Sequence, residues 1–525
     1  MGDLFLGFDS STQGLTATVI DFGERKVIYQ KNINFDEAFK AKYGVTNGVL
    51  PNENPLIVHA PPLMWAEALD KMFATMKAEG VDFSRIKAIS GSGQQHGSVY
   101  LNEKFHSYLK KMKDSDSIVA DAGDIFTRKT SPIWMDTSTE KECEEIRRSL
   151  GGIQATVSLT GSDTFARFTG PQIRKFYKEE REAYEKTAVI HLVSSFLSSI
   201  IAGVSSPIDR GDGAGMNLMD IRTGEWSKKA FEATAENLSS KMPDVKPCDT
   251  IVGDANPYFV KKYGFVSDTK CVIWSGDNPN SLIGVGLIRE GQAAFSLGTS
   301  DVYYAYMKNP KFSEKGEGHV FGAPTGDYMT LLVYLNGSLS REKVRNAYGL
   351  GWDEFSNILA RTEPGNGGRI MLPYFSPEIT PVITKPKVMR YGFDEKDVEA
   401  NVRGIIEAQM LSSRLHSEWM GVETDTIYAT GGASKNREIL RVMSNVHNAR
   451  VYTFTVSNSA SLGAALRGAE AYYKQSRPLS WESVIDGFVF IDRKNVIEPD
   501  AKAVKVYNEM LSQYAEREKV FLASN

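Results

Sequence analysis

The sequence predicts an α/β fold of two domains, because of its length, its alternation of strands and helices, and an internal repeat. The chain has 525 residues, which is too long for one hydrophobic core and fits two domains of roughly 200 to 300 residues. Segments with the two-residue period of strands alternate with segments of helical period, a pattern typical of α/β proteins. One strand–turn–strand unit occurs twice, and this repeat indicates two related domains that face each other across a cleft.

The first elements follow from the spacing of apolar residues. Residues 4–9 form a buried apolar run, and residues 14–21 and 26–35 alternate apolar and polar side chains, which predicts three strands joined by turns. Residues 61–80 have helical periodicity and end in glycine, as helices often do. Residues 86–101 predict a strand, a glycine-rich loop and a further strand.

The repeated unit is a hairpin whose turn is rich in hydroxyl side chains. Residues 9–12 (DSST) lie between the first two strands, and residues 296–299 (SLGT) lie between two strands past the middle of the chain. Residues 285–292 separate a helical segment from the second hairpin. We therefore expect an N-terminal domain of residues 1–288 and a C-terminal domain of residues 289–525.

The composition is that of an ordinary globular protein, with 42% hydrophobic and 24% charged residues and a formal charge of −4. This charge is small for the length of the chain and gives no indication of a nucleic-acid-binding surface. Three widely spaced cysteines without a C-x-x-C pair fit a reducing compartment and argue against disulfides or a zinc site. Residues 188–206 are apolar but contain six serines and a histidine, which favours a buried helix over a membrane span. Without a targeting segment, we expect a cytoplasmic protein with neither nucleic-acid nor membrane partners.

The two hairpin turns are candidates for phosphate binding. Turns dense in Ser, Thr and Gly expose backbone N–H groups and hydroxyls that can surround phosphate oxygens. One such turn is usually only a turn, but two at matching places are a stronger signal. Asp9 ends the first buried strand and could hold Mg²⁺ directly or through water, because hard cations prefer oxygen ligands.

A third candidate is the strand–turn–helix segment at residues 426–445. The strand ends in Gly431-Gly432, and a helix is predicted to start after Ala433-Ser434, so a ligand could approach the backbone near a helix N-terminus. A plain strand–helix connection is the alternative. The dipeptide Gly-Lys occurs nowhere in the chain, which excludes a Walker A motif.

Two polar segments could bind a polyhydroxylated ligand. Gln94, Gln95 and His96 lie in a glycine-rich loop, and their amides and imidazole supply directional donors and acceptors. Arg167 precedes a Thr-Gly-Pro helix start and is either a ligand contact or a partner in an ion pair. The loop of small residues at 211–217 is expected to pack near such a site.

Asp277 and Asn278 follow a buried strand and Gly276, just before a helix predicted near Pro279. An ionised aspartate at the open end of a strand can act as a general base toward a bound hydroxyl. The alternative is that Asp277 is the N-cap of that helix, since Asp is a favoured cap residue.

Taken in order, eight motifs resemble those of the FGGY carbohydrate kinases over nearly the whole chain: "GFDSSTQG", "SGSGQQHGSVY", "SPIWMDTST", "ARFTGPQI", "SPIDRGDGAGMN", "GDNPNSLIG", "SLGTSD" and "ATGGASKN". Each motif alone is modest, whereas the ordered set is specific. The resemblance implies the actin/Hsp70/sugar-kinase ATPase fold, with an active site in a cleft between two domains.

The resemblance also assigns roles to individual residues. On the sugar side it implies a general base, Asp277, and the sugar contacts Gln95, His96, Arg167 and Asn278. On the nucleotide side it implies Mg²⁺ at Asp9, phosphate turns at Ser11, Thr12, Gly298, Thr299 and Ser300, and an adenosine site at Trp352, Gly431, Gly432, Ala433 and Asn436. Many members have a basic residue soon after the first turn, and this chain has none.

Among the family's substrates, the motifs favour D-xylulose. The implied reaction is phosphoryl transfer from Mg-ATP to its terminal hydroxyl, giving D-xylulose 5-phosphate for the pentose phosphate pathway, with domain closure to exclude water. Another ketose or polyol, such as ribulose or glycerol, is an alternative acceptor. A non-catalytic ATP-binding scaffold of the same fold is an alternative of another class. The sequence does not choose between a monomer and a dimer.

Overall fold

A computed structural model describes residues 2–120, 122–453, 458–489 and 493–524. The chain divides into two compact units. The first comprises Met1–Ile288, Val320–Tyr328 and Val456–Val489, and the second comprises Arg289–His319, Met329–Thr455 and Phe490–Asn525. The first unit therefore includes two segments that lie beyond the domain boundary predicted at residue 288.

Up to residue 288 the strands are β1 Leu4–Ser10, β2 Gly14–Asp21, β3 Lys26–Asn34, β4 His59–Ala60, β5 Ile86–Gly93, β6 Ser98–Leu101, β7 Ser131–Pro132, β8 Val189–Leu192, β9 Ile208–Asp209, β10 Met219–Asp220, β11 Glu225–Trp226, β12 Val245–Lys246, β13 Ile251–Asp254, β14 Lys270–Val272 and β15 Ser275–Gly276. The helices there are α1 Phe35–Tyr43, α2 Pro62–Ala78, α3 Lys104–Lys111, α4 Glu140–Leu150, α5 Ile153–Thr160, α6 Thr169–Glu179, α7 Arg181–Glu185, α8 Val193–Ala202, α9 Arg210–Gly213, α10 Lys228–Thr234, α11 Pro257–Tyr263 and α12 Asp277–Gly284.

Beyond residue 288 the strands are β16 Gln292–Leu297, β17 Asp301–Met307, β18 His319–Gly322, β19 Tyr328–Tyr334, β20 Ile370–Pro373, β21 Glu378–Ile379, β22 Val382–Ile383, β23 Val388–Tyr391, β24 Thr426–Thr430 and β25 Arg450–Thr453. The helices are α13 Ser338–Ala347, α14 Trp352–Arg361, α15 Val398–Ser417, α16 Arg437–His447, α17 Ser459–Lys474, α18 Trp481–Ile485 and α19 Ala501–Ala523.

The main sheet of the first unit has the strand order β13-β14-β5-β1-β2-β3, with β15 also paired to β5. The alternation of β1 explains how the sheet is covered on both faces. Leu6 and Phe8 belong to the core cluster that contains Trp65 of α2, whereas Phe5 belongs to the cluster that contains Leu466 of α17. Because successive residues of a strand point to opposite faces, the buried β1 strand requires both layers.

Helix α17 lies very close to the sheet and to α12. A Cβ on Gly7 of β1 would stand 2.0 Å from the carbonyl oxygen of Ser461, and one on Gly463 would stand 1.8 Å from the carbonyl oxygen of Asn280. No side chain fits at either distance, so glycine is required at both crossings. This packing holds the start of α12 against the sheet.

The predicted repeat is present in the topology of the two main sheets. In the first unit β1 pairs antiparallel with β2 and parallel with β5. In the second, β16 pairs antiparallel with β17 and parallel with β24, within the strand order β19-β17-β16-β24-β25. Each hairpin therefore stands beside a parallel strand.

The apolar segment at residues 188–206 forms β8 followed by the buried helix α8, as the serines indicated. Of the helices that the structure describes, none combines the length and the hydropathy that crossing a bilayer requires.

Candidate active site

The polar residues predicted for the first domain follow the ends of three adjacent strands. In the parallel pairs β1–β5 and β5–β15, Asp9 is aligned with Ser92, and Ser92 is aligned with Ser275. The carboxyl ends of parallel strands meet at one edge of a sheet, where ligands usually bind in α/β folds. The turn after β1, the loop after β5 and the start of α12 after β15 are thereby brought to the same edge.

Asp9 is a half-buried carboxylate without a positive partner among the residues that the structure describes. The Ser92 hydroxyl donates a hydrogen bond of 2.7 Å to its Oδ1. Burial raises the pKa of Asp9 to about 6, and the bond from Ser92 opposes that rise. A carboxylate held in this way favours a cation, because burial of an unpaired charge is costly.

Asp277 is the first residue of α12, and Gly276 is the N-cap. The helix thus begins two residues before the predicted start at Pro279, and Asp277 does not occupy the cap position that the alternative required. Its Oδ1 accepts hydrogen bonds from the backbone N–H of Asn278 at 2.9 Å and from Asn278 Nδ2 at 3.1 Å. Burial, and then the negative charge of Asp9, raise the pKa of Asp277 to about 7.

Gly276 makes room for a protein side chain. A Cβ at this position would stand 2.3 Å from Cγ of Gln95. Gln95 Oε1 in turn accepts a hydrogen bond of 2.7 Å from Asn278 Nδ2. The glycine therefore lets the loop after β5 hold Asn278, and through it Asp277, in one orientation.

His96 is neutral and presents an acceptor. Burial, and then the positive charge of Arg167, lower its pKa to about 3. Nδ1 lies 2.8 Å from the carbonyl oxygen of Gly215 and must donate to it, so Nε2 carries the lone pair. The ring stacks on Phe168 with centroids 4.3 Å apart. The segment at residues 211–217, predicted as a loop, instead forms the end of α9 and a 3₁₀ turn over Ala214–Met216, and its Gly215 contacts His96.

Arg167 and two glutamines supply donors beside this acceptor. Burial lowers the pKa of Arg167, and its guanidinium lies 5.6 Å from the ring centroid of Phe165. Within the described part of the chain, Nε2 of Gln94 and Nε2 of Gln95 are buried without a hydrogen-bond partner. A buried donor that makes no hydrogen bond costs about 1–3 kcal/mol, and hydroxyl groups of a bound ligand would offset that cost by accepting from it.

The hydroxyls of the first turn are partly engaged within the protein. Thr12 Oγ1 donates to Gln94 Oε1 at 3.1 Å and accepts from Trp134 Nε1 at 2.8 Å. Ser11 Oγ donates to the carbonyl oxygen of Gly14 at 3.0 Å. Phosphate contacts at this turn would then come mainly from backbone N–H groups. Trp134 belongs to a motif noted in the sequence, but no role was predicted for it.

In the second unit, a pocket of about 690 Å³ brings together four residues predicted for the adenosine site: Trp352, Gly432, Ala433 and Asn436. Glycine has a different structural role at each of the two positions in this segment. A Cβ on Gly431 would stand 2.5 Å from the carbonyl oxygen of Leu297, whereas a Cβ on Gly432 would meet nothing within 4 Å. Gly431 permits contact between strands, and Gly432 borders open space in the pocket.

Asn436 shapes the pocket through its side chain. Oδ1 accepts from the backbone N–H groups of Glu438 and Ile439 at 3.1 and 3.3 Å, which caps α16, and Nδ2 donates to Ser356 Oγ at 2.7 Å. Helix α16 begins at Arg437 after a 3₁₀ turn over Gly432–Lys435. The predicted start directly after Ser434 is therefore wrong by two residues, because the Asn436 cap defines the boundary.

The second turn predicted to bind phosphate, Gly298 to Ser300, joins β16 to β17. The backbone N–H of Ser338, the first residue of α13, donates to the carbonyl oxygen of Gly298 at 2.9 Å. Since Ser338 also lines the 690 Å³ pocket, the turn and the pocket are adjacent within the second unit.

The oxygen ligand that Asp9 offers suits Mg²⁺ bound together with a substrate better than a metal ion held by protein side chains alone. In the ranges that the structure describes, no three His, Cys, Asp or Glu side chains are arranged to hold a metal ion. Mg²⁺ commonly keeps several waters and takes one or two carboxylates together with substrate phosphates. A single half-buried carboxylate such as Asp9 fits that pattern.

We expect Gly432→Val to raise the KM for ATP by about tenfold or more, because added bulk in a fitted site costs about 1–3 kcal/mol. The KM for the sugar should stay within about twofold. Steady-state kinetics with each substrate varied in turn check this. Gly432→Ala, with a single methyl group, should have a smaller effect, and unchanged ATP kinetics in a folded Val variant would show that the turn is only structural.

Comparison with known proteins covers both units. Residues 4–284 match the N-terminal domain, and residues 293–472 the C-terminal domain, of the FGGY family of carbohydrate kinases. The chain is 40% identical to xylulose kinase 2 of Arabidopsis thaliana, over 89% of this chain and 87% of that protein. It is 37% identical to xylulose kinase of Rattus norvegicus, over 99% and 97%.

Solved structures share the fold at lower identity. A xyloylose kinase from Brucella ovis has a TM-score of 0.80 at 21% identity, covering 99% of this chain and 100% of that chain. Glycerol kinase of Plasmodium falciparum with ADP has a TM-score of 0.75 at 18% identity, covering 98% of both chains. The predicted sugar-kinase fold is thereby confirmed, and with both family domains matched, the chain belongs to the FGGY family of carbohydrate kinases, which use ATP to phosphorylate small-molecule substrates.

Proposed function

We propose that the protein is a xylulose kinase, which transfers the γ-phosphoryl group of ATP to the terminal hydroxyl of D-xylulose. The observation that carries this proposal is the position of Asp277, a carboxylate at the start of α12 that Asn278 and Gln95 orient beside the polar loop after β5. The named function of the curated relatives supports the same reaction.

The first unit would bind the sugar. Neutral His96 offers an acceptor at Nε2, Arg167 offers a cationic donor, and the amides of Gln94 and Gln95 offer donors that have no partner within the described residues. A ketopentose presents several hydroxyls and a carbonyl oxygen, so both kinds of partner are needed. An apolar ligand would leave the buried Nε2 groups of Gln94 and Gln95 without the hydrogen-bond partners that they also lack within the described residues.

Asp277 would act as the general base. The ideal catalytic pKa lies near the working pH, and burial has moved this carboxylate to about 7. Asn278 and Gln95 orient it through the contacts described above. As the acceptor hydroxyl attacks phosphorus, its proton passes to a carboxylate oxygen of Asp277, and the bond from phosphorus to the oxygen of the ADP leaving group breaks.

The second unit would bind adenosine beside Trp352 and Gly432, with the phosphates near the Gly298–Ser300 turn. Asp9 would hold Mg²⁺, which neutralises charge on the phosphates when it is bound. No lysine or arginine follows Thr12 in the first turn, so backbone N–H groups and the cation would carry most of that neutralisation.

The test is a coupled assay of ADP release with D-xylulose, L-ribulose, D-ribulose and glycerol. We expect the highest kcat/KM with D-xylulose, because the curated relatives are xylulose kinases. The lowest should be with glycerol, since Gln95, His96 and Arg167 together match a polyhydroxylated ketone better than a three-carbon polyol. A higher kcat/KM for another acceptor would reassign the substrate. ATP hydrolysis that no sugar accelerates would instead support a non-catalytic scaffold.

A further inference from the structure

A buried ion pair lies next to the second phosphate turn. Asp301 directly follows the turn and pairs with Leu297 across the β16–β17 ladder, at the base of the hairpin. Arg341 of α13 donates from both terminal nitrogens to its carboxylate, at 2.6 Å to Oδ2 and 2.9 Å to Oδ1. The exposed fraction is 0% for Arg341 and 2% for Asp301. A two-point contact of this kind fixes direction as well as distance.

Further hydrogen bonds extend from this pair to the segment that precedes α13. Arg341 also donates to Gln409 Oε1 at 2.9 Å and to Ser338 Oγ at 3.0 Å. Gln409 Nε2 donates to the carbonyl oxygens of Asn336 at 2.6 Å and Gly337 at 3.1 Å. Every one of these residues belongs to the second unit.

The segment held by this network lies directly on the turn. The Ser338 N–H donates to the carbonyl oxygen of Gly298 at 2.9 Å. A Cβ on Gly337 would stand 2.7 Å from the carbonyl oxygen of Thr299 and 2.8 Å from the backbone nitrogen of Asp301. The start of α13, which Arg341 holds in place, therefore packs directly against the turn.

We propose that Asp301 and Arg341 are positioning residues that hold the Gly298–Ser300 turn in the geometry that binds the phosphates of ATP. This inference rests on the proposed nucleotide site. Asp301 neutralises Arg341, and both are buried, so the pair acts through geometry and adds no net charge for the phosphates. A displacement of about 1 Å in such a turn can cost about a hundredfold in rate.

The proposal predicts that the pair affects binding of the phosphates more than binding of adenosine, although Arg341 also lines the 690 Å³ pocket. Affinities for adenosine and for Mg-ATP are measured by calorimetry in the wild-type chain and in three variants. Asp301→Asn keeps the shape and removes the charge. Arg341→Lys keeps the charge and cannot make both bonds. The double variant Asp301→Leu/Arg341→Met replaces the pair with apolar side chains, a change that often preserves stability.

In variants that melt within a few degrees of the wild type, we expect adenosine affinity to stay within about twofold for Asp301→Asn, which keeps the Arg341 side chain at the pocket. In the Arg341 variants adenosine affinity should fall less than Mg-ATP affinity. Mg-ATP affinity should fall by about tenfold or more, and kcat by about tenfold to a hundredfold, while the KM for the sugar stays nearly unchanged. The matched control is Arg403→Met/Glu407→Leu, which removes another buried pair of the second unit, 2.6 Å apart on α15. It should leave the ratio of ATP to adenosine affinity at the wild-type value.

If the ratio of ATP to adenosine affinity is unchanged in the folded Asp301 and Arg341 variants, the inference is wrong and the ion pair contributes only to stability. The inference is also wrong if the wild-type chain binds ATP no more tightly than adenosine, since the turn would then hold no phosphate. A wild-type chain that prefers ATP but phosphorylates no sugar would refute the proposed function while the inference stands.

Discussion

Replacing Asp277 with asparagine is expected to lower kcat by roughly a hundredfold or more, the range of general acid–base catalysis. The variant keeps the shape of the side chain and its contacts with Asn278, so D-xylulose should still bind. Stability should not fall, because a neutral amide avoids the burial of charge that raises the pKa of Asp277 to about 7. Stopped assays of ADP formation measure kcat, isothermal calorimetry measures the affinity for the sugar, and a thermal melt measures stability.

The pH profile adds a second readout of the same substitution. Only the ionised form of Asp277 accepts a proton, so kcat/KM of the wild type should fall as the pH drops below about 7. The residual activity of the Asn variant should lack that limb. Asp254→Asn is the control, since this half-exposed carboxylate pairs with Lys270 at 2.7 Å and should leave kcat within about twofold. A near-wild-type kcat in the Asp277 variant would refute the assigned base.

Asp9→Asn is the second substitution with a large expected effect. A cation bound to transferring phosphates is worth several kcal/mol, and each 1.36 kcal/mol is tenfold in rate, so we expect kcat to fall by about a hundredfold. Part of that loss should be recovered as free Mg²⁺ is raised, because the amide still offers an oxygen ligand. Rates measured against free Mg²⁺ at saturating ATP check this.

Ser92→Ala is the matched control for Asp9. It removes the 2.7 Å hydrogen bond to Oδ1 but leaves the carboxylate, so its Mg²⁺ requirement should shift by only a few-fold. If Asp9→Asn needs no more Mg²⁺ than the wild type, Asp9 does not hold the cation.

Much of the fold follows from local patterns. The strands β1 and β2 were predicted within one residue because buried alternation and tight turns define their ends. The two hairpins were recognised because each pairs a strand end with a hydroxyl-rich turn. The sequence did not reveal that α17, far along the chain, packs on β1, since that contact depends on glycines at residues 7 and 463 that no local pattern connects.

The candidate site was predicted only in part, because its long-range contacts also leave no local pattern in the sequence. The residue types and their motifs predicted Asp277 and His96 as site residues. The contacts that orient these side chains are visible only in the structure. Gly276 makes room for Gln95, and Trp134 donates to Thr12 across 122 positions of sequence. The motif predicts Asn436 as a nucleotide-site residue, and the fold adds that its side chain caps α16 and holds Ser356. Such pairings are long-range and leave no periodic signal.

The most direct test of the account is to identify the product formed from ATP and D-xylulose labelled with ¹³C at the terminal C5 carbon. We expect one phosphomonoester in the ³¹P spectrum, split by coupling to the labelled carbon, formed in equal amount to ADP. The Asp277→Asn variant should form it at least about a hundredfold more slowly. ADP formation without a sugar phosphate, or a phosphate without coupling to C5, would contradict the proposed reaction.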